Sequence, residues 1–337
     1  MKYRKHEAKE YARDSLKGVW TALPYNFTED DRLDEAAIAY NLEHSISKLK
    51  VAGHYCSGNV AEFWALTNEE RMRAHEINAE INKGRVPLIA GCHHQNPYEV
   101  VKLCQHAEAV GIDFAIVLTP YQAAHCDDAV YEFYRFIAEH TNIGLILFNI
   151  PAHYYPISVP LAKRLVKIPN ICGFKQGGPQ PAATIRLRQV VGSEIVVSVA
   201  DENPWLHNIA VFEDRWLLNF CPHLYQVPGY LPVHDYTEAA LAGDYNKAVA
   251  IARSINPVRA VHAKWITGYG GGNSRLPSHE QKIWMEMIGM KGGGVRPPCT
   301  RMTPEAEQEL RADLEATGLP AKARAAAARA EGERRAA

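Results

Sequence analysis

Short apolar runs recur along this chain, each closed by turn residues and followed by a stretch with helical spacing. The runs cover residues 18–23, 51–57, 86–91, 114–119, 144–149, 171–176, 195–200 and 216–221. Each is short and apolar on both faces, the signature of strands buried on both sides of a parallel sheet. Between them lie helical patterns. Residues 33–50 carry Leu33, Ala36, Ala37, Tyr40 and Leu49, and Thr67-Asn68-Glu69-Glu70 has capping-box spacing for a helix to about residue 82. Asn96-Pro97-Tyr98-Glu99 combines an N-cap, a first-turn proline and an acid. Further helices are expected over 128–140, 159–166 and 182–191, and from 203 onward. Eight such repeats predict an α/β fold, a (β/α)8 TIM barrel. An open doubly wound sheet would want a glycine-rich phosphate loop after its first strand, and Pro24-Tyr25-Asn26 stands there instead.

Beyond Pro222 the pattern turns helical, at 236–242, 245–255, 258–266, 280–290 and 304–317, so appended C-terminal helices are expected. The division is a polar leader over 1–17, a barrel over 18–235, a helical region over 236–319 and a tail over 320–337. The tail is Ala, Arg and Glu without large apolar residues, so disorder is expected there.

With 47% hydrophobic residues and a net charge of -1, the chain can bury a large core but has no electrostatic footprint for nucleic acid or an anionic membrane. No apolar run is long enough to span a bilayer, and residues 1–15 have no apolar signal region. Seven scattered cysteines without a C-x-x-C pair suit reduced thiols, hence a cytoplasmic protein. The partner is then a small molecule or another copy of the chain.

In such a barrel chemistry sits at the C-terminal strand ends. Those ends carry Asn59, Glu62, His93, His94, Thr119, Tyr121, Phe148, Asn149, Lys175, Asp201 and Asn219. Lys175 interrupts the sixth run, where an ammonium is costly to bury; desolvation favours the neutral amine, which can attack a carbonyl. The plainer alternative is a strand-end lysine whose head reaches water. His93 and His94 are adjacent and diverge, and neither H-E-x-x-H nor H-x-H occurs, so metal catalysis is the minor reading, left to a distributed site using His153 or His223, and no cofactor is expected. The glycine runs at 268–273 and 292–294 lack the Lys-Ser/Thr of a phosphate loop and read as turns. Glu62 reads either as an acid/base group or as a tie from its loop to a neighbouring helix.

Taken together, these residues resemble the dihydrodipicolinate synthase/N-acetylneuraminate lyase family of pyruvate-type class I aldolases. The marks are the loop from Gly58 to Glu62, Leu66-Thr67 with Glu69-Glu70-Arg71, Val86-Pro87-Leu88-Ile89-Ala90-Gly91, Thr119-Pro120-Tyr121, Asn149-Ile150-Pro151, Gly173-Phe174-Lys175 and Val295-Arg296-Pro297-Pro298. The resemblance implies a TIM barrel with C-terminal helices, a homo-oligomer (tetramer or dimer), and an imine between Lys175 and a 2-oxo acid, with an aldehyde as second partner. It places the substrate against Asn59, Val60, Tyr121, Phe148 and Asp201, with backbone N–H groups of the loop on the carboxylate. Six positions depart from the pattern. Asn59-Val60-Ala61 replace the loop's Thr-Thr-Gly, Phe148 replaces the catalytic tyrosine, Gln122 replaces a second tyrosine, and His153 replaces a carboxylate-binding arginine. Proton transfer then falls to Tyr154, Tyr155, His153, Tyr121 or a bound water. The expected activity is a Schiff-base lyase for a 2-oxo acid with a bulky or aromatic substituent. The alternative is a vestigial or sensing member that binds a carbonyl metabolite without efficient turnover.

Overall fold

The computed structural model describes residues 1–150, 154–177, 181–198, 200–219, 221–267 and 277–336. Eight parallel strands form one sheet: β1 (Gly18–Ala22), β2 (Gly53–Cys56), β3 (Leu88–Gly91), β4 (Phe114–Leu118), β5 (Gly144–Asn149), β6 (Ile171–Gln176), β7 (Val196–Ser198) and β8 (Trp216–Leu218). From β1 to β7 each strand pairs with the next in sequence, and β1 also pairs with β8, so the sheet curls into the expected barrel with β7 and β8 meeting at its seam. At the seam, Asn219 beyond β8 donates to the carbonyl of Ala200 beyond β7.

A short helix, α1 (Ala8–Ser15), precedes the barrel. The crossovers are α2 (Glu35–Ser47), α3 (Asn68–Asn82), α4 (Pro97–Ala109), α5 (Asp127–Glu139), α6 (Val159–Leu165), α7 (Pro181–Val191) and α8 (Trp205–Phe212). The capping box closes around α3: Thr67 accepts from the Glu70 N–H and Glu70 accepts from the Thr67 N–H. Asn96 caps α4 with Pro97 in its first turn. After β8 come α9 (Cys221–Tyr225), α10 (Pro232–Leu241), α11 (Tyr245–Ser254), α12 (Asn256–His262), α13 (Ser278–Met287), α14 (Pro304–Ala316) and α15 (Leu319–Ala336). No helix among the described residues is long and apolar enough to cross a membrane.

The disorder expected over 320–337 needs correcting, and the leader over 1–17 packs on the barrel. The leader is built into the fold: Ala8, Ala12 and Leu16 are buried with the lumen residues. Tyr3 stacks with Phe114 and Tyr11 packs tilted against the same ring, while Tyr11 donates to Asp113. The tail is α15, with Leu319, Ala323 and Ala326 buried. Both segments pack through one leucine and two alanines spaced i, i+4 and i+7 or i+8, one face of a helix.

The lumen is its own apolar cluster, holding Trp20, Ala22, Tyr55, Ile89, Phe114, Ile116, Leu118, Ile146, Phe148, Trp216 and Leu218. A second cluster fills the layer between strands and helices, and includes Ile171 and Phe174. A bulge decides where Lys175 points. Leu145 pairs with Ile171, but Ile146 pairs with Gly173, so Cys172 is an extra residue in β6. Cys172 belongs to the lumen cluster, and strict alternation from it would turn Lys175 outward. The bulge resets the parity, and Lys175 enters the lumen beside Phe148 and Ser198, its register partners.

Candidate active site

A cavity of about 1180 Å³ opens at the C-terminal ends of the strands, and Lys175 lies in its wall. The aliphatic stem is enclosed by the barrel while the head meets the cavity, so the amine is desolvated yet reachable. Its Nζ sits 4.3 Å from the centre of the Phe148 ring and 5.2 Å from that of Tyr55. No carboxylate among the described residues lies within ion-pair distance of it. Burial alone lowers its pKa to about 7, which leaves a large neutral fraction at neutral pH.

Beneath the cavity lies a polar group that sequence reading missed. The Tyr55 hydroxyl is 2.6 Å from Nε2 of His93, and the Nδ1 of His93 accepts the Leu118 N–H at 3.1 Å. That acceptor role places the neutral ring's proton on Nε2, which donates to Tyr55. Burial, with Arg71 and Lys175 nearby, holds the His93 pKa well below its usual value, consistent with a neutral ring. Arg71 itself is buried on α3, donating to the carbonyls of Gly91 (2.7 Å) and His93 (2.8 Å), while its Nε has no partner among the described residues. Arg71 and Lys175 line the cavity, and no acidic side chain lines it among the described residues.

The loop after β2 forms one rim. Ser57 and Glu62 both take positive φ (55° each), an uncommon conformation for residues other than glycine, so the loop is bent at both ends. The N–H groups of Ala61, Glu62 and Phe63 bond back to Gly58 and Asn59. Those of Asn59 and Val60 have no acceptor among the described residues, and the Asn59 Oδ1 is buried without a partner. Glu62 does not face the cavity: its carboxylate is 2.6 Å from Lys282 of α13, both fully buried, and also accepts the Arg296 N–H. It is the loop-to-helix tie. Arg296 extends the brace to Glu70 and to the carbonyl of Ala65.

Of the residues picked from sequence, Lys175, Asn59, Val60, Tyr121, Phe148 and Tyr154 line the cavity. Tyr121 is 64% exposed at the mouth, edge-on to Tyr154. Tyr155 is not brought in; its hydroxyl donates to Asp127 at 2.9 Å, fixing the start of α5. Asp201 is not a lining residue either, and its carboxylate accepts from the Asn203 backbone at 3.0 Å. Burial raises the Asp201 pKa. His153, and the glycine run at 268–273, lie outside the described residues. Among those described, no group of three or more His, Cys, Asp and Glu could hold a metal ion. The signal that could have found Tyr55 is its place two residues before Ser57, but a run apolar on both faces conceals which residues turn inward.

Known proteins resemble this chain over most of its length. The model of the dihydrodipicolinate synthetase family matches residues 15–317. The 4-hydroxy-tetrahydrodipicolinate synthase of Phenylobacterium zucineum is 31% identical over 310 residues, 90% of this chain and 98% of that protein. An uncharacterized DapA-like lyase of Thermococcus kodakarensis is 35% identical over 161 residues, 48% of this chain; the match spans about half (54%) of that relative's length. A prophage protein of the same family from E. coli K12, solved in complex with pyruvate, superposes with a TM-score of 0.79 at 20% identity, covering 90% of this chain and 99% of that one. The chain belongs to the dihydrodipicolinate synthetase family, and is a lyase of the class I aldolase type.

Proposed function

We propose that this lyase acts on a 2-oxo acid carrying a bulky, flat substituent, through an imine on Lys175. The observation that carries the reading is Lys175 itself, a desolvated amine without a carboxylate partner, open to a cavity. A neutral amine adds to the 2-oxo carbonyl, and the resulting iminium serves as an electron sink for carbon–carbon cleavage or formation, or for loss of water. The N–H groups of Asn59 and Val60, without an acceptor among the described residues, form a cradle for the substrate carboxylate, a role that does not need the threonine hydroxyls the loop lacks. Arg71 makes the surrounding field favourable to anions. About 1180 Å³ is far more room than a three-carbon acid fills, and Phe63, Trp64, Tyr121, Phe148 and Tyr154 supply ring surfaces to the remainder.

The test is borohydride reduction during incubation with pyruvate or phenylpyruvate, followed by peptide mapping. Adducts of the expected mass on the peptide containing Lys175, absent in Lys175→Arg, support the reading. A guanidinium stays charged and cannot act as the amine nucleophile. Labelling that persists in the variant rejects it.

A second reading has one observation in its favour: Phe148 leaves no hydroxyl where the family's tyrosine is expected. A sensing member would form the same adduct without repeated turnover. Product accumulation beyond one equivalent, across a panel of aryl 2-oxo acids and aldehydes, separates the two.

A further inference from the structure

The neighbours of Tyr55 belong to the reaction chamber. Lys175 Nζ lies over its ring face, Phe148 meets it edge to face at 6.5 Å, and His93 holds its oxygen. The carboxylate loop rests directly on the phenol: a Cβ at Gly58 would fall 2.4 Å from Tyr55 Cζ and 2.6 Å from its hydroxyl. Only glycine lets the backbone come so close. The phenol is therefore enclosed between the loop, the amine and the ring that replaces the family's tyrosine.

His93 fixes what this hydroxyl can do. Its Nδ1 is occupied by the Leu118 N–H, so its Nε2–H donates and Tyr55 accepts. The phenol's own hydrogen then has no acceptor among the described residues. A buried hydroxyl hydrogen left without an acceptor is costly, and a reaction that supplies one recovers that cost. The imine carbon is bonded directly to Nζ, so a group packed against Nζ is close to the reacting atoms.

We propose that Tyr55, positioned by His93, gives and takes the proton at the Lys175 imine in place of the hydroxyl that Phe148 lacks. This rests on the Schiff-base reading of Lys175. The amine adds to C2 and forms a carbinolamine. Tyr55 then gives its proton to the C2 hydroxyl, the C2–O bond breaks, water leaves and the iminium forms beside a phenolate. Taking a proton from C3 restores the phenol and leaves a neutral enamine. Burial holds the phenol's pKa well above its usual value. The iminium changes that, because an adjacent positive charge favours the phenolate that must exist for one step. The other hydroxyls are less well placed: Tyr154 stands with Tyr121 toward the mouth, and Tyr155 donates to Asp127.

Pyruvate serves as the probe, with two readouts on the same samples. Borohydride trapping reports the imine, and exchange of C3 hydrogens in D2O, followed by NMR, reports proton transfer. Tyr55→Phe should trap pyruvate on Lys175 more slowly but to the same end point, since water can still protonate the carbinolamine, while exchange falls by ~10²–10⁴. His93→Leu should lower exchange, and His93→Gln should retain more of it, because an amide can accept from Leu118 and donate to Tyr55 together. Should Tyr55→Phe fail to fold by circular dichroism, the two His93 variants carry the same comparison. Exchange in Tyr55→Phe within about threefold of wild type, or equal loss in both His93 variants, overturns the proposal. A wild type that traps pyruvate without exchanging C3 overturns it as well and leaves the imine reading standing. No adduct in the wild type with pyruvate or phenylpyruvate overturns both.

Discussion

At the residue scale the reactivity of Lys175 turns on how burial competes with the rings around it. Aromatic faces at 4.3 and 5.2 Å favour a cation, by about 0.5–2 kcal/mol for a contact of this kind. Loss of water opposes the cation by more, and the amine's pKa drops to about 7. Only the neutral amine attacks, so the initial rate of imine formation should be low at pH 5 and climb through pH 7. It should level off about one unit above that, whereas an ordinary exposed lysine would keep climbing toward pH 10. Single-turnover trapping across pH 5–9 measures this; a midpoint above pH 9 would contradict the desolvated amine. The same competition explains why Lys175 was legible in the sequence. A lysine inside an apolar run has few inexpensive explanations, whereas Tyr55 in a run apolar on both faces has many. The Tyr55–His93 contact joins two strands and depends on a tautomer, and spacing along one chain carries neither.

At the element scale the site depends on two irregularities, the bulge in β6 and the bent loop after β2. The loop is held from outside the barrel by α13, through Lys282 against Glu62 with both side chains fully buried. Lys282 also donates to the Gly294 carbonyl at 2.6 Å, so its ammonium is satisfied on two sides. Removing one partner of such a pair strands a charge in the interior, which costs about 3–5 kcal/mol. Lys282→Met should therefore lower stability by about that much in chemical denaturation. The double variant with Glu62→Gln should recover part of it, since no unpaired charge then remains. KM for the 2-oxo acid should rise in the single variant, because the Asn59 and Val60 N–H groups lose their fixed direction; an unchanged KM would show the loop to be held by other contacts. Strands and crossover helices were readable because periodicity and caps are local. The bulge was not, since one extra residue at Cys172 leaves no trace in an unbroken apolar run. The helices α1 and α15 were missed because Ala8, Ala12, Ala323 and Ala326 bury little surface each and leave no strong apolar stripe.

At the scale of the whole molecule, the barrel and its helices bury several histidines that do no chemistry. His54, His75 and His223 are buried, and loss of water lowers the pKa of each to about 3. Among the described residues neither ring nitrogen of His75 has a partner, and His223 bonds through Nδ1 alone, to Thr21 at 2.8 Å. In the unfolded chain these rings titrate near 6.5, so between about pH 3 and 6.5 the unfolded state binds more protons than the folded one. Stability is accordingly complete above pH 6.5 and falls as the pH drops below it. Each such ring contributes up to about 1.4 kcal/mol per pH unit. Three rings acting together make the acid side steep, and the lost stability is regained only when the pH returns above 6.5. Urea denaturation at pH 7.5, 6 and 5 should show the midpoint dropping sharply at each step. His75→Leu, of comparable size and without a proton to bind, should flatten the slope by about one ring's share while leaving the pH 7.5 value within roughly 1.5 kcal/mol. A slope unchanged by His75→Leu would mean that this ring is solvated or partnered in solution, and that acid sensitivity arises elsewhere in the barrel.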